Sequence, residues 1–341
     1  MFSDKVLIGL DIGTDAIKMV ETKNVKGQNE LITYGIAHHN LNLDGYWDAT
    51  KLRQLSVIIE DLMKTGRFGG VKTVMSVMSK DVYVTTMDFE ATWDKRRIQD
   101  EIEKQAKYFL PYPPDEMRLS WNLIQNDPRI VDYTGKQRVI INALPDFVIE
   151  NSKNILEHVN LDGTALENQT ISQIRSSLTP DVGNTVLVDI GAMQTTFSII
   201  VDGTLRSSSH IPSGGLQVTQ DIAKSLGVEN PIAEYFKHDL GLINLFQLPT
   251  PVLENLTILR SELMTFIELN RRISQEPQKV VFTGGGVFLA GFLEFFKSLP
   301  VPVYIANCLR TLSVRPEYQP YISPIANQLS TAIGLALRSD V

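Results

Sequence analysis

The sequence predicts an α/β protein of two halves, each built on a mixed β-sheet, with a small α+β insert in the first half. Three observations carry this. Residues 6–10 are aliphatic and end in Asp11-Ile12-Gly13, and a second apolar run, 186–188, ends in Asp189-Ile190-Gly191. Two such strands point to a duplicated core. Each is followed by a turn and a further apolar strand, and residues 83–145 interrupt the first half with a pattern of their own.

A chain of 341 residues is too long for one ordinary core, so two domains are expected. The net charge of −7 gives no general attraction for nucleic acid or anionic lipid. The single cysteine, Cys308, excludes an internal disulfide and a multi-cysteine zinc site, and fits a cytoplasmic protein. The N-terminus runs straight into the strand of Asp11, without the pattern of a signal peptide. Residues 280–293 are free of charge but too short and glycine-broken to span a bilayer. The C-terminus carries no basic amphipathic tail, so membrane association is expected only through a partner.

In order, residues 5–10, 16–21 and about 30–37 read as strands. Leu52, Leu55, Ile58, Ile59 and Leu62 give residues 49–66 a helical spacing that stops at Gly66. A strand follows at 72–78. In the insert, Val82, Val84 and Thr86 alternate. Asp94 then opens a helix with Ile98, Ile102, Ala106 and Phe109 on one face, stopped by Pro111-Tyr112-Pro113-Pro114. Strands at about 117–125 and 137–144 flank a polar loop, residues 126–137. Helices are expected at 146–158 and 169–177, with a short strand at 163–166 between them. The second half opens at 185 with strand, turn and strand. Helices follow at 216–226, 231–240 and 251–274, then a strand at 279–283 and helices at 289–297 and 324–338. Domain 1 is therefore assigned to 1–82, 146–180 and 320–341, the insert to 83–145, and domain 2 to 181–319, with a helical part at about 212–275. Hinges are expected near 181 and 320.

The chemistry concentrates on the glycine turns. Asp11, Gly13, Thr14 and Lys18 lie on one strand-turn-strand, where glycine lets amides approach a phosphate and Thr14 adds a hydroxyl donor. A carboxylate so close to phosphates calls for a divalent cation, so Asp11 implies Mg²⁺, held through water. A plain β-hairpin that favours Asp and Gly at its turn is the alternative. Asp189, Gly191, Thr195 and Thr196 repeat the logic, with Thr196 where the first copy has Lys18. Thr283-Gly284-Gly285-Gly286 follows a third apolar strand and offers backbone to a phosphate or adenosine; glycine turns after strands are also common without a ligand. The five histidines (His38, His39, His158, His210, His238) show no ligand spacing and read as structural or surface.

Together these motifs resemble the two phosphate loops and the adenosine motif of the actin-like ATPase superfamily, which also holds the sugar kinases. The remainder narrows the resemblance to its bacterial branch of FtsA and PilM families. Pro212-Ser213-Gly214-Gly215 with Val218-Thr219-x-Asp221-Ile222-Ala223 is similar to a segment of that branch, as is Ala233-Glu234-x-x-Lys237-x-x-x-Gly241. Ala106-x-x-Phe109-Leu110-Pro111-x-Pro113-x-Asp115-Glu116 and the ending 331–338 resemble the PilM family of type IV pilus assembly proteins in particular.

The resemblance implies an actin-like (ribonuclease H-like) two-domain fold binding ATP or ADP with Mg²⁺. Asp11, Gly13, Thr14 and Lys18 would face the phosphates from one domain, and Asp189, Gly191 and Thr195 from the other. Asp11 and Asp189 would reach the metal through water. Gly284, Gly285 and Gly286 would back the adenosine, with Glu234 and Lys237 at ribose and adenine and Gly214-Gly215 nearby. Without the family, Glu234 and Lys237 read as a charge pair on a surface helix, and Gly214-Gly215 as a turn. Gln169 stands where the attacking water is placed; glutamine orients water but is a poor general base, so slow turnover or none is expected.

The implied partner is the N-terminal cytoplasmic peptide of a PilN-like inner-membrane protein. It would lie in a groove between the insert and the adjoining domain, holding the chain at the inner face of the cytoplasmic membrane. The resemblance also admits contacts with the pilus motor or other platform proteins, and self-association. Phe89, Trp93 and Tyr108-Phe109-Leu110 are candidates for the groove, or fill the insert's own core. The platform served is that of a type IV pilus or of a related secretion or competence machine; an FtsA-like cell-division protein and a small-molecule kinase are the alternatives.

Overall fold

The structure is a computed structural model that describes residues 5–123, 135–179, 183–239, 248–274, 276–289 and 291–340. The first sheet begins with an antiparallel meander: β1 (Lys5–Ile12), β2 (Ala16–Val25) and β3 (Gln28–His38). Helix α1 (Ala49–Thr65) crosses back to β4 (Lys72–Val77), which lies parallel to β1 with Ile8 opposite Thr73. Asp48 caps α1 by accepting from the Lys51 amide, and Leu52, Leu55, Ile59 and Leu62 turn inward at helical spacing.

The insert follows as β5 (Tyr83–Glu90), α2 (Lys95–Phe109), β6 (Met117–Leu123) and β7 (Lys136–Pro145). Its three strands form an antiparallel sheet, order β5-β7-β6. Asp94 caps α2 through the Arg97 amide. Ile98 and Ile102 pack on Phe89, Val139 and Ile141, with Trp93 and Phe109 at the margin. Phe89 and Trp93 thus serve the insert's own core, whereas Tyr108 is 78% exposed. Most of the polar loop expected at 126–137 lies outside the described residues, as does the hinge expected near 181.

Helix α3 (Asp146–His158) returns the chain to the first sheet, where β8 (Asp162–Asn168) pairs parallel with β4, and α4 (Gln169–Ser177) leads away. The second sheet repeats the start of the first: β9 (Asn184–Ile190), β10 (Thr195–Val201) and β11 (Thr204–Ile211) form a second antiparallel meander. The stretch Arg206-Ser207-Ser208-Ser209-His210 has no apolar alternation, so β11 is invisible to periodicity. Helices α5 (Gly215–Leu226), α6 (Asn230–Asp239) and α7 (Thr250–Ser274) precede β12 (Lys279–Thr283), which is parallel to β9.

The helix expected at 289–297 is shorter. A 3₁₀ turn, Gly285–Phe288, comes first, and α8 (Phe292–Phe296) starts only after Gly291, whose φ of 74° breaks the helix. Strands β13 (Val303–Ile305) and β14 (Leu312–Ser313) are added at one edge of each sheet. Helix α9 (Gln319–Ile322) runs into a 3₁₀ turn at Ser323–Ile325 containing Pro324. The closing helix, expected from 324, begins only at α10 (Ser330–Ala336). Proline lacks the amide needed to continue the ladder.

One hydrophobic core is shared between the sheets. Val20 and Leu31 of the first meet Leu187, Ile200 and Val281 of the second around Leu329 and Ile333. Helix α10 fits there by small residues. A Cβ on Gly9 would overlap the Ala332 carbonyl, and one on Gly334 would overlap the Ser172 carbonyl of α4. Among the described residues no helix is long and apolar enough to cross a membrane.

Candidate nucleotide site

The two Asp-Ile-Gly turns face one cavity of about 630 Å³ between the sheets. Antiparallel register puts Asp11 directly opposite Lys18, and Lys18 Nζ lies 3.3 Å from Asp11 Oδ2. The other oxygen, Oδ1, accepts from Ser76 Oγ at 2.7 Å and Gln169 Nε2 at 2.9 Å. Gln169 is itself held, its Oε1 accepting from the Ser79 amide at 3.2 Å. Asp11 is 2% exposed, and these donors supply the hydrogen bonds that a buried carboxylate needs.

The second hairpin has the same register with different chemistry: Asp189 faces Thr196. Burial pushes the Asp189 carboxyl up; a hydrogen bond from Gln173 and the Lys18 charge pull it back, while Asp11 adds to the rise. Gly284 has φ 88°, and a Cβ there would strike Asp189 Oδ1 and the Ile190 carbonyl, so the glycine run packs directly on the second turn. The Gly215 amide donates to Gly191 O at 2.9 Å, and the Leu216 amide to Ala192 O at 2.8 Å.

Of the residues selected from sequence, Asp11, Gly13, Thr14, Lys18 and Gln169 line the cavity on one side. Asp189, Gly191, Gly215, Glu234, Lys237, Gly284, Gly285 and Gly286 line it on the other. Thr195 and Gly214 do not. They stand behind the wall, where Thr195 Oγ1 donates to Ser213 O at 2.8 Å and Gly214 is pressed against the Gly191 and Ala192 carbonyls. Lys237 is buried, with Nζ 2.6 Å from Glu234 Oε1 and 3.1 Å from Thr219 Oγ1. Burial pushes Glu234 up, but its bonds to Lys237 and Thr219 outweigh this and leave its carboxyl below the usual range.

Sequence spacing missed several lining residues. Gln173 reaches the cavity from α4, Gln328 from the approach to α10 and Thr331 from the first turn of α10. Asp15 and His38 form its rim as a pair at 2.8 Å, and His39 Nε2 braces the first turn at Gly13 O, 3.0 Å away. The Asp15 hydrogen bond raises His38 against its burial, and the same bond lowers Asp15. For Asp15 the signal was local, an acidic residue inside the turn; for the others contact is made across the fold.

Among the described residues no group of three or more His, Cys, Asp or Glu could enclose a metal. Asp11 and Asp189 are the carboxylates that the two Asp-Ile-Gly turns bring to the cavity, which Asp15 and Glu234 also line.

The sequence model of a family described as type IV pilus assembly protein PilM matches residues 9–340. The cell division protein FtsA of Streptococcus pneumoniae is 25% identical over 96% of this chain and 81% of that protein. FtsA of Neisseria meningitidis is 29% identical over 31% of this chain, a match spanning only 26% of its own length. Among solved structures, a PilM-PilN type IV pilus biogenesis complex superposes with a TM-score of 0.82 at 20% identity, covering 97% of this chain and 98% of that one. MreB5 of Spiroplasma citri bound to ADP gives 0.55 at 12% identity, over 97% of this chain and 94% of its own. The fold is that of the actin-like ATPases.

Proposed function

The chain belongs to the PilM family of type IV pilus assembly proteins, and from that premise we propose that it is an actin-like scaffold of the pilus assembly platform that binds ATP or ADP with Mg²⁺. The observation that carries the nucleotide reading is the single cavity that gathers both Asp-Ile-Gly turns, the late glycines and the Glu234–Lys237 pair. Asp11, Gly13, Thr14 and Lys18 take the phosphate side with Asp189 and Gly191, and the glycines at 284–286 back the adenosine. Glu234 and Lys237 take the ribose and base. Thr195 and Gly214 act indirectly, by shaping the second turn. Residues 1–82, 146–180 and 320–341 form one jaw and 181–319 the other, with the insert at 83–145.

Gln169 donates to Asp11 and accepts from the Ser79 amide, and its second N–H and remaining acceptor site stay open to a water. Glutamine orients water but is a poor general base, so hydrolysis is slow or absent. The partner is the N-terminal cytoplasmic peptide of a PilN-like membrane protein, bound where the insert meets the adjoining domain; this keeps the chain at the inner face of the membrane. Support comes from the superposed PilM-PilN complex. Nucleotide couples to the peptide only if the peptide distinguishes the clamped from the open jaws. Titrating a PilN-type N-terminal peptide by calorimetry, with and without Mg²⁺-ATP, tests this. A several-fold difference in affinity is expected; equal affinities refute the coupling.

A further inference from the structure

Strand β3 ends at His38, His39 follows it, and both turn back on the first Asp-Ile-Gly turn. His38 Nδ1 lies 2.8 Å from Asp15 Oδ2. The His39 amide donates to Asp15 O at 2.8 Å, and its ring Nε2 lies 3.0 Å from Gly13 O. On the other ring nitrogen, the Leu41 amide donates to Nδ1 at 3.2 Å. These two contacts place the proton. A carbonyl oxygen only accepts, so Nε2 carries the hydrogen; an amide N–H only donates, so Nδ1 is bare. His39 is thus a neutral imidazole, locked in one tautomer between two backbone groups.

We propose that His39 is a positioning residue, a neutral splint that sets the first phosphate turn against the core of its own sheet. Leu41 packs on that core, so the rear anchor is firm. At the front, the carbonyls of Gly13, Asp15 and Ala16 are all engaged by protein donors, the last by the Gly13 amide at 3.0 Å. The turn has little slack, since a Cβ on Gly13 would come within 3.1 Å of the Ala16 carbonyl and of Lys18 Nζ. Protonating His39 would set an imidazole N–H against the Leu41 N–H and release the rear anchor. The titratable and charged groups facing His39 are His38, Asp15 and Lys18; those facing His38 are Asp15, Lys18 and, on α6, Glu234. Burial holds the His39 imidazole below its ordinary value, against the pull of the Gly13 bond and of Asp15. The splint is therefore present above about pH 6.5 and is lost as pH falls through the folded value, the opposite sense to His38.

The tautomer needs no ligand; its effect on phosphate binding rests on the nucleotide reading above. The two are tested separately. A long-range proton–nitrogen NMR spectrum of the histidine rings is recorded on the ligand-free full chain, with His39→Gln assigning the signal. His39 should show a protonated Nε2 and a bare Nδ1 at neutral pH, and should titrate below the ordinary imidazole value. An Nδ1–H tautomer, or a value at or above the ordinary one, overturns the proposal. Mg²⁺-ATP affinity is then measured by calorimetry at about pH 8, where imidazole is neutral, for wild type, His39→Gln and His39→Leu. Glutamine supplies a donor and an acceptor without titrating, so it should keep most of the affinity. Leucine should weaken binding about fivefold, the size of one hydrogen bond. No loss in His39→Leu, or an equal loss in both variants, overturns the positioning role. As pH falls through the His39 midpoint, wild-type affinity should drop relative to His39→Gln, since the titration of the nucleotide itself is common to both. Parallel profiles overturn the proton dependence. If His39→Leu does not fold, the wild-type and His39→Gln profiles decide. If wild type binds no ATP, the nucleotide reading falls, and the ring spectrum alone decides the splint.

Discussion

Asp11 is held by three donors on three elements: Lys18 on β2, Ser76 on β4 and Gln169 on α4. Such a carboxylate is fixed before any cation arrives, and preorganisation of this kind is what a cation site needs. Asp11→Ala is therefore expected to weaken Mg²⁺-ATP binding at least about tenfold, roughly 1.4 kcal/mol, in a calorimetric isotherm. Unchanged affinity would remove the metal assignment. At the rim, the bond between Asp15 and His38 raises the imidazole and lowers the carboxyl. The His38 contribution is present below about pH 6.5 and fades as pH rises through its folded value. The Asp15 contribution is present above about pH 4 and fades as pH falls through its own. The pair is strongest in the mildly acidic range between. An NMR titration should place His38 above the ordinary imidazole value, and Asp15→Asn should return it toward that value. Asp11 and Asp189 were legible because each ends an apolar run in a glycine turn. Gln173, Thr331 and His38 were not: Gln173 and Thr331 are 158 positions apart, and no local spacing marks such a contact.

Elements whose ends are set by local chemistry were readable to within a residue or so. Asp48 and Asp94 cap the helices that follow them, and the prolines after α2 end it, because capping and proline act on the nearest turn. Elements decided by long-range pairing were not. The serine-rich β11 is a strand only because β10 offers it a ladder, and the late helices shrink where Gly291 and Pro324 override an apolar spacing. The insert is a small sheet under one helix, so its core has little to spare. Ile102 is fully buried there, and Ile102→Ala should cost about 2–5 kcal/mol. The expected result is fast hydrogen exchange over 83–145, a weakened PilN-type peptide complex and unchanged ATP affinity. A loss of ATP binding of similar size would mean that the insert and cleft do not open independently.

At the scale of the molecule, the sheets are joined at the base by a shared core and separated above it by the cavity, so relative motion must work against that core. The duplicated turns announced two sheets from sequence. That α10 is the wedge between them was not announced, since Gly9 and Gly334 reveal their purpose only when Ala332 and Ser172 are seen against them. Cys308 sits at this junction, fully buried, within reach of Ser177 on α4, Thr283 on β12 and Asn327 before α10. Burial pushes its thiol up, so little reactive thiolate is present at neutral pH. Alkylation of the native protein should run at least about a hundredfold slower than in denaturant, and the proposed closure of the jaws predicts a further slowing with Mg²⁺-ATP. Equal native rates with and without nucleotide would show that the junction stays still. As the only cysteine in the chain, it is a chemical clock already installed between the two sheets, whose ticking counts how often their shared core opens.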